Sequence, residues 1–223
     1  MNKLVFSFRL QKNIGIFFLW ILSCAFLSCG REQKQPQKEK TITAAEILGN
    51  PAYPAISYGG YRDKSREIQP TLTQIKNDLR ILYAMGIRLV RTYNLQFEHA
   101  PNVIRAIEAL KQENASFEMY VMLGTWIDCE GAWTEVRDHS NENLENNSSE
   151  IKKAIDLANQ YPHIVKIISV GNEAMVHWAE AYYVTPEIIL KWVNHLQNLK
   201  KEGELSSDLW ITSSDNFASW GGG

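Results

Sequence analysis

The chain has 223 residues, of which 45% are hydrophobic and 11% aromatic, and its formal net charge at pH 7 is −2. This length and hydrophobic content are enough for one sizeable core. The nearly balanced charge argues against nucleic-acid or anionic-membrane binding driven by charge. Seven Trp and nine Tyr are many for this size and favour either core packing or stacking on sugar rings.

The first 29 residues have the pattern of an export signal. Three basic residues among the first twelve precede an apolar stretch at residues 14–27. That stretch is shorter than the ~20 apolar residues that span a bilayer, as is typical of a signal peptide. Residues 26–30 (Phe-Leu-Ser-Cys-Gly) resemble a bacterial lipobox, in which the Cys becomes the lipidated N-terminus. We therefore predict lipidation at Cys29, with Cys24 as the alternative, and a lipid-anchored protein of the bacterial cell envelope, in the outer membrane or at the cell surface. The other interpretations are an ordinary signal peptide and a membrane anchor.

Residues 30–41 are polar and lack aromatic side chains, which predicts a flexible tether. The predicted organisation is a signal peptide at residues 1–29, this tether, and a globular domain at residues 42–223. With Cys29 lipidated, Cys129 is the only cysteine left in the mature chain, so no internal disulfide is expected. The five His show no zinc-binding spacing, and we expect neither a metal nor a cofactor.

The globular part alternates between strand-like and helical patterns. Apolar strand-like segments lie at residues 55–61, 87–94, 117–127, 164–173 and 208–215. Apolar residues at a spacing of three to four predict helices at residues 73–85, 101–111, 149–161 and 185–203. The polar run at residues 138–150 predicts a surface loop. This alternation predicts an α/β fold with a parallel sheet.

Several predicted strands end in Tyr, Arg, Asn, Trp, Asp or Glu. In a (β/α)8 TIM barrel, functional groups sit at the carboxyl ends of the strands. We therefore predict such a barrel, of which about the first five β/α units are present. A complete barrel has eight strands and typically ~250 residues, so we expect the sequence to be part of a longer gene product. A smaller five-stranded α/β domain is the alternative.

The fourth strand predicts the reactive centre. Its apolar run is followed by Gly171, Asn172 and Glu173. An amide next to a carboxylate at the end of a buried strand is costly in a core but suits an active site. A carboxyl group there can act as a general acid on a glycosidic oxygen. The structural alternatives are a Glu that caps the next helix and a turn Asn.

Three strand-end segments carry a family resemblance: residues 57–59 (Ser-Tyr-Gly), 90–93 (Val-Arg-Thr-Tyr) and 170–173 (Val-Gly-Asn-Glu). In their order, spacing and placement they resemble glycoside hydrolase family 17, the β-1,3-glucanases and β-1,3-glucan transglycosylases. The resemblance runs from about Ala55 to the last residue. It implies a (β/α)8 barrel that hydrolyses β-1,3-glucan with retention of configuration. The expected partners are β-glucan and, through the lipid, a membrane; we expect a monomer that binds no nucleic acid.

The resemblance implies a role for each candidate site residue. Glu173 would be the acid/base that protonates the leaving oxygen and then activates water. Asn172 would donate a hydrogen bond to a sugar hydroxyl. The predicted substrate-binding residues, besides Asn172, are Tyr58, Arg91, Tyr93, Trp126 and Asp215. For Arg91 we expect a carboxylate partner, and the structural alternatives are a salt bridge for Arg91 and core packing for the two tyrosines.

The nucleophile that this resemblance requires is not found in the sequence. The family places it on a Glu at the end of strand seven, in a Glu-Thr-Gly-like context, and no such motif occurs here. We therefore expect the 223 residues alone to be inactive. The alternatives are a transglycosylase of the same fold, a non-catalytic glycan-binding lipoprotein, and a barrel enzyme for phosphorylated substrates, although no phosphate-binding loop is visible.

Overall fold

The computed structural model describes residues 42–221. The predicted signal peptide, the tether and Cys29 lie outside the described residues. Within residues 42–221, no helix is both long and apolar enough to cross a bilayer. In the same range, no group of three or more His, Cys, Asp and Glu side chains is arranged to hold a metal ion.

The described residues form seven strands and six helices. In chain order they are α1 (Ala44–Ile47), β1 (Ala55–Ser57), α2 (Leu72–Ala84), β2 (Leu89–Arg91), α3 (His99–Glu113), β3 (Tyr120–Thr125), β4 (Cys129–Glu130), β5 (Asp138–Glu142), α4 (Leu144–Gln160), β6 (Val165–Asn172), α5 (Pro186–Glu202), β7 (Trp210–Ser214) and α6 (Phe217–Gly221).

Five strands form one parallel sheet in the order β1-β2-β3-β6-β7, and β4 and β5 form a separate antiparallel hairpin. The order of the main sheet follows the chain without reversal, unlike a doubly wound fold, in which the order reverses at a switch point. The predicted α/β fold with a parallel sheet is therefore confirmed. All five predicted strands are present, although each is shorter than its apolar segment.

Helices α2 to α5 connect the parallel strands and bury one face of the sheet. On that face Val90, Val121 and Ile168 belong to the same core cluster as helix residues such as Ile107 and Leu196, all fully buried. Alternate strand residues therefore meet the helices, as the period of two in a strand requires.

The opposite face of the sheet has two different ends. At its lower end, where the strands begin, Leu89, Tyr120 and Ile167 pack with Ala44 and Ile47 of α1. Among residues 42–221, no such cluster covers the upper end, where the strands finish. Helix α1 lies in a stretch for which no helix was predicted, and it begins with a capping box between Thr43 and Glu46.

The predicted surface loop at residues 138–150 is wrong. Residues 138–142 form β5, and α4 starts at Leu144, where Asn143 accepts a hydrogen bond from the Asn146 amide as N-cap. Asn147 and Glu150 are fully buried in α4. A polar run was interpreted as solvent-facing, whereas these two side chains bind backbone groups inside the protein.

The outermost strands of the main sheet are exposed. All three residues of β1 are exposed, including Ile56, and Trp210 of β7 is 41% exposed. Within the described residues each of these strands is paired on one side only. A strand in this position presents unpaired backbone groups along its free side.

Candidate active site

A cleft of about 540 Å³ opens at the upper end of the sheet. Its volume lies in the usual range for small-ligand sites. The lining residues follow the carboxyl ends of β1, β2, β3 and β6 and are Gly59, Tyr61, Arg66, Tyr93, Asn94, His99, Trp126, Trp133, Asn172, Glu173 and Tyr182. Carboxyl ends of parallel strands meet at one edge of a sheet, where α/β proteins bind their ligands.

Glu173 is held in an unusual backbone turn. Gly171 has a φ of 79°, and a Cβ there would lie 3.0 Å from the side chains of Ala174 and Ile189. Glu173 itself has a φ of 49°, and its amide donates to the Ser214 carbonyl at 2.9 Å. A left-handed conformation costs about 1–3 kcal/mol for a residue other than Gly and persists where the surroundings enforce it. The turn leaves the Glu173 side chain exposed at the cleft.

Asp215 fixes the same turn from the neighbouring strand. Its Oδ2 accepts from the Met175 amide at 2.7 Å, and its Oδ1 accepts from the Asn216 amide at 2.8 Å. Both oxygens therefore bind backbone groups. Asp215 was predicted to bind substrate, and the structure places it behind Glu173 instead of among the residues that line the cleft.

Arg91 and Asn172 form a direct pair under the cleft. The Nη2 of Arg91 donates to the Oδ1 of Asn172 at 2.5 Å, and the guanidinium lies 5.1 Å from the Tyr93 ring centroid. Burial lowers the pKa of Arg91, with smaller opposing effects from Tyr93 and Glu173. Since a guanidinium can only donate, the carboxamide oxygen must face it. The partner of Arg91 is thus an amide, not the expected carboxylate, and the Asn172 NH2 group is left to donate elsewhere.

Three aromatic side chains form a wall along one side of the cleft. Trp126 lies 4.8 Å from Tyr182 between ring centroids, and Trp133 stacks on Tyr182 at 5.2 Å. Trp133 is 64% exposed and has a φ of 66°. We call Trp126, Trp133 and Tyr182 the aromatic wall. The sequence predicted Trp126, whereas Trp133 and Tyr182 lie in loops without a periodic pattern and were missed.

The β4–β5 hairpin and the segment after β6 hold this wall together. The Trp133 amide donates to the Ala181 carbonyl at 2.8 Å, and the His139 ring stacks on Tyr183 at 3.6 Å. At Gly131 a Cβ would lie 1.9 Å from the Val136 carbonyl oxygen, so the hairpin turn requires glycine. The position of Trp133 therefore depends on contacts between segments that are distant in the sequence.

The first strand contributes Tyr61 rather than Tyr58 to the cleft. Tyr58 is 8% exposed, and its hydroxyl donates to the Oδ2 of Asp78 at 2.8 Å. Burial raises the pKa of Tyr58, and the hydrogen bond to Asp78 adds to the shift. Tyr58 was predicted as a subsite residue, but the structure places it beneath the cleft. Tyr61, three residues later, lines the cleft and stacks on His99 at 5.1 Å.

Two further titratable groups are buried near the cleft. His99 is 5% exposed, and burial lowers its pKa to about 4. Its Nε2 has no hydrogen-bond partner among the described residues. Burial raises the pKa of Asp128, two residues after Trp126, to about 6, while the Trp126 indole acts in the opposite direction. His99 was not predicted from the sequence as a site residue, and for Asp128 the sequence favoured a structural role over binding of a sugar hydroxyl.

Among the cleft-lining residues in the described part of the chain, Glu173 is the one carboxylate. Of the predicted site residues, the structure brings Tyr93, Trp126, Asn172 and Glu173 to the cleft, with Arg91 directly behind Asn172. The cleft therefore combines one exposed carboxylate, an oriented amide and an aromatic wall.

One solved structure is similar to this chain in both sequence and fold. It is an endo-laminarinase from Formosa Hel1_33_131, with 61% sequence identity and a TM-score of 0.80. The match covers 82% of this chain and 46% of that enzyme. No family model and no curated protein matches the chain. The chain is thus similar to a glycoside hydrolase that acts on laminarin, and it spans about half of the length of that enzyme.

Proposed function

We propose that this chain is the part of a retaining β-1,3-glucan hydrolase that carries its acid/base carboxyl group and its aromatic glucan-binding wall. The observation that carries the proposal is the pair Asn172–Glu173 at the end of β6, in a cleft whose wall is aromatic. The 61% identity to an endo-laminarinase supports the substrate class.

Glu173 would transfer the proton. Its exposed carboxyl group faces the cleft, where a glycosidic oxygen can approach it. In the first step it donates a proton to the leaving oxygen, and in the second it takes one from water. Because the Arg91 guanidinium occupies the Asn172 oxygen, the Asn172 NH2 group is available for a hydroxyl of the same sugar.

The aromatic wall would bind the glucose rings. Trp133 presents an exposed face, and Trp126 and Tyr182 continue the wall. The apolar faces of pyranose rings stack on such surfaces, while their hydroxyls bind the polar groups opposite. A run of stacked aromatic rings suits a polymer better than a single sugar.

We also infer that the five parallel strands belong to a (β/α)8 barrel of glycoside hydrolase family 17. The unreversed strand order, the helices on one face and the functional groups at the strand ends support this inference. A retaining enzyme needs a second carboxyl group ~5–5.5 Å from the first. In this proposal the nucleophile belongs to a longer gene product, consistent with the 46% coverage of the laminarinase.

Hydrolysis is tested in a hybrid enzyme in which this chain's residues replace the part of the Formosa laminarinase that they match. Reducing-sugar release from laminarin is measured for the hybrid and for its Glu173→Gln variant. We expect a loss of about 10²–10⁴-fold in kcat, since general acid catalysis contributes that much. The control is Glu180→Gln, an exposed carboxylate of the same segment. Near-hybrid activity in Glu173→Gln would reject the acid/base assignment.

A second candidate function is glycan binding without hydrolysis by the 223-residue chain. It is favoured by the single carboxylate among the described lining residues. We expect the purified chain to bind laminarihexaose in calorimetry and to release no reducing sugar from laminarin. Turnover by the chain alone would show that its nucleophile lies within these residues.

We propose in addition that the mature protein is lipid-anchored through Cys29 in the bacterial envelope. The support is the apolar run at residues 14–27 and the lipobox-like residues that follow it. Labelling with radioactive palmitate in a bacterial host should mark the wild type and Cys24→Ser but not Cys29→Ser. Label retained by Cys29→Ser and lost by Cys24→Ser would move the anchor to Cys24.

A further inference from the structure

Helix α4 places a buried carboxyl group directly beneath the cleft. Glu150 is 2% exposed. Its Oε2 accepts from the amides of Leu95 and Trp126, each at 2.8 Å, and its Oε1 accepts a longer bond from Leu95 at 3.1 Å. One side chain thus joins the segment after β2 to the segment after β3.

This carboxyl group is expensive to bury. Burial raises the pKa of Glu150 to about 7, against the opposing effects of the Trp126 and Leu95 amides and of Lys153. The neighbouring core residues of α4 are apolar, namely Ile151, Ala154 and Ala158. An apolar side chain at position 150 would avoid the cost of burying a charge. It would also leave two amides without an acceptor, because these segments have left the sheet.

Two further side chains of α4 bind backbone groups close to this contact. Lys153 Nζ donates to the Leu95 carbonyl at 3.0 Å. One turn before Glu150, Asn147 accepts from the Asp128 amide and donates to the Asp128 carbonyl, both at 3.0 Å. Asn147, Glu150 and Lys153 therefore form a polar stripe at a spacing of three. It holds the backbone at Leu95, Trp126 and Asp128.

These backbone segments carry residues of the cleft. Trp126 is the inner member of the aromatic wall, and Tyr93 and Asn94 immediately precede Leu95. None of them lies on α4. The side chains that line this part of the cleft are consequently positioned by a helix that lies outside it.

We propose that Glu150 is a positioning residue that fixes Trp126 and the Tyr93–Asn94 segment for binding β-1,3-glucan. The inference rests on the proposed function, since the affinity it concerns is for that glucan. Glu150 acts through the two amides from which it accepts hydrogen bonds, and it does not itself contact the ligand.

The test compares three variants of the 223-residue chain. Glu150→Ala removes the acceptor, and Glu150→Gln keeps one oxygen in nearly the same shape. Glu145→Gln is the matched control, because Glu145 is exposed in the first turn of the same helix. Amide hydrogen exchange is measured by NMR at Leu95 and Trp126, and calorimetry gives the Kd for laminarihexaose.

For Glu150→Ala we expect faster exchange at both amides and a Kd about tenfold higher, since two buried donors lose their acceptor. Glu150→Gln should recover part of both effects, because its oxygen still accepts. Glu145→Gln should match the wild type in exchange and in Kd.

Two results would overturn the proposal. One is a Glu150→Ala variant that is less stable but keeps the wild-type Kd, which would make the role structural only. The other applies if Glu150→Ala does not fold: Glu150→Gln then decides, and unchanged exchange with unchanged Kd rejects the proposal. A wild type that binds no laminarihexaose would instead reject the proposed function, and amide exchange would still show whether Glu150 holds Trp126.

Discussion

The two ends of the same parallel sheet differ in which side chains they carry and in how those side chains are held. At the lower end, a short capped helix seals an apolar cluster of Leu89, Tyr120 and Ile167. At the upper end, the strands finish in a bulged turn, an exposed carboxylate and an aromatic wall. The lower end is held by this apolar packing and by the capping box of α1. The upper end instead relies on hydrogen bonds from its backbone to buried side chains of α4 and to the half-buried Asp215, which follows β7.

This difference between the two ends predicts which residues matter for stability only and which also matter for binding. Apolar burial at the lower end contributes free energy of folding without any ligand. At the upper end, the left-handed backbone of Glu173 and Trp133 and the buried Glu150 cost free energy. So does the buried Nε2 of His99, which has no hydrogen-bond partner within the described part of the chain. Such costs persist where the arrangement serves binding or catalysis. Substitutions at the lower end should therefore change the free energy of unfolding alone, and those at the upper end should also change glucan binding.

The largest effect is expected for Ile47→Ala at the lower end. Ile47 is 1% exposed, and removing three buried carbons should lower the free energy of unfolding by about 2–5 kcal/mol. Urea denaturation measures this loss, and the Kd for laminarihexaose should be unchanged wherever the variant is folded. Ile81→Ala, at a 60% exposed position, is the control and should change stability by less than about 0.5 kcal/mol. A higher Kd in the folded Ile47→Ala variant would show that a substitution at the lower end also changes glucan binding.

A pH effect of similar size is expected at the upper end from His99. Burial lowers its pKa from 6.5 to about 4, so between these values the unfolded chain holds a proton that the folded protein lacks. Stability should therefore fall as the pH drops from 6.5 to 4, and His99 should account for about 3 kcal/mol of that fall.

His99→Phe keeps an aromatic ring between Tyr58 and Tyr61 and should abolish this part of the fall. Urea denaturation at a series of pH values gives the comparison, with the exposed His195→Gln as the control. A pH profile of His99→Phe parallel to that of the wild type would show that His99 is protonated in the folded state.

Trp133→Ala should separate binding from stability in the opposite direction to Ile47→Ala. Its exposed ring contributes little burial, so the unfolding midpoint should hardly move. The Kd for laminarihexaose should rise about tenfold or more, as is common for a central aromatic contact. Trp178→Ala is a matched control, because Trp178 is also 64% exposed and does not line the cleft. If the two substitutions change the Kd equally, Trp133 does not belong to the glucan-binding surface.

The smallest effect is expected for Thr43→Ala. It deletes the capping box of α1, in which the Glu46 amide donates to the Thr43 hydroxyl. The loss should be about 1 kcal/mol in the free energy of unfolding, without a change in glucan affinity. Thr73→Ala, inside α2 and exposed, is the control and should not lower stability. A loss of unfolding free energy well above that of an ordinary N-cap would mean that α1 stabilises more of the protein than the lower end of the sheet.

The sequence was sufficient to predict the parallel α/β fold. Its strands are apolar runs and its helices repeat every three to four residues, so that both signals are local. The prediction failed where polar residues are buried, as in the first turns of α4, because composition does not show which side chains will find partners. It also missed the β4–β5 hairpin, whose strands carry few apolar residues.

Part of the candidate site was predicted because its strand-end residues, like the strands themselves, give a local signal in the sequence. Asn172 ends β6, and Glu173 and Trp126 directly follow β6 and β3, so the rule that strand ends converge was enough to bring them together. Trp133 and Tyr182 lie in loops that meet only through contacts such as the Trp133–Ala181 hydrogen bond. Tyr58 and Tyr61 lie on the same segment, and which of them faces the cleft depends on the turn after β1.

The sequence by itself determined the order of strands and helices and the carboxylate that follows β6. Those features depend on periodicity and on residues adjacent along the chain. Only the tertiary structure decided that Arg91 pairs with Asn172, that Asp215 supports the Glu173 turn, and that Glu150 holds Trp126. These contacts join residues between 24 and 81 positions apart, and their partners are chosen by packing and by the need of buried polar groups for a hydrogen bond.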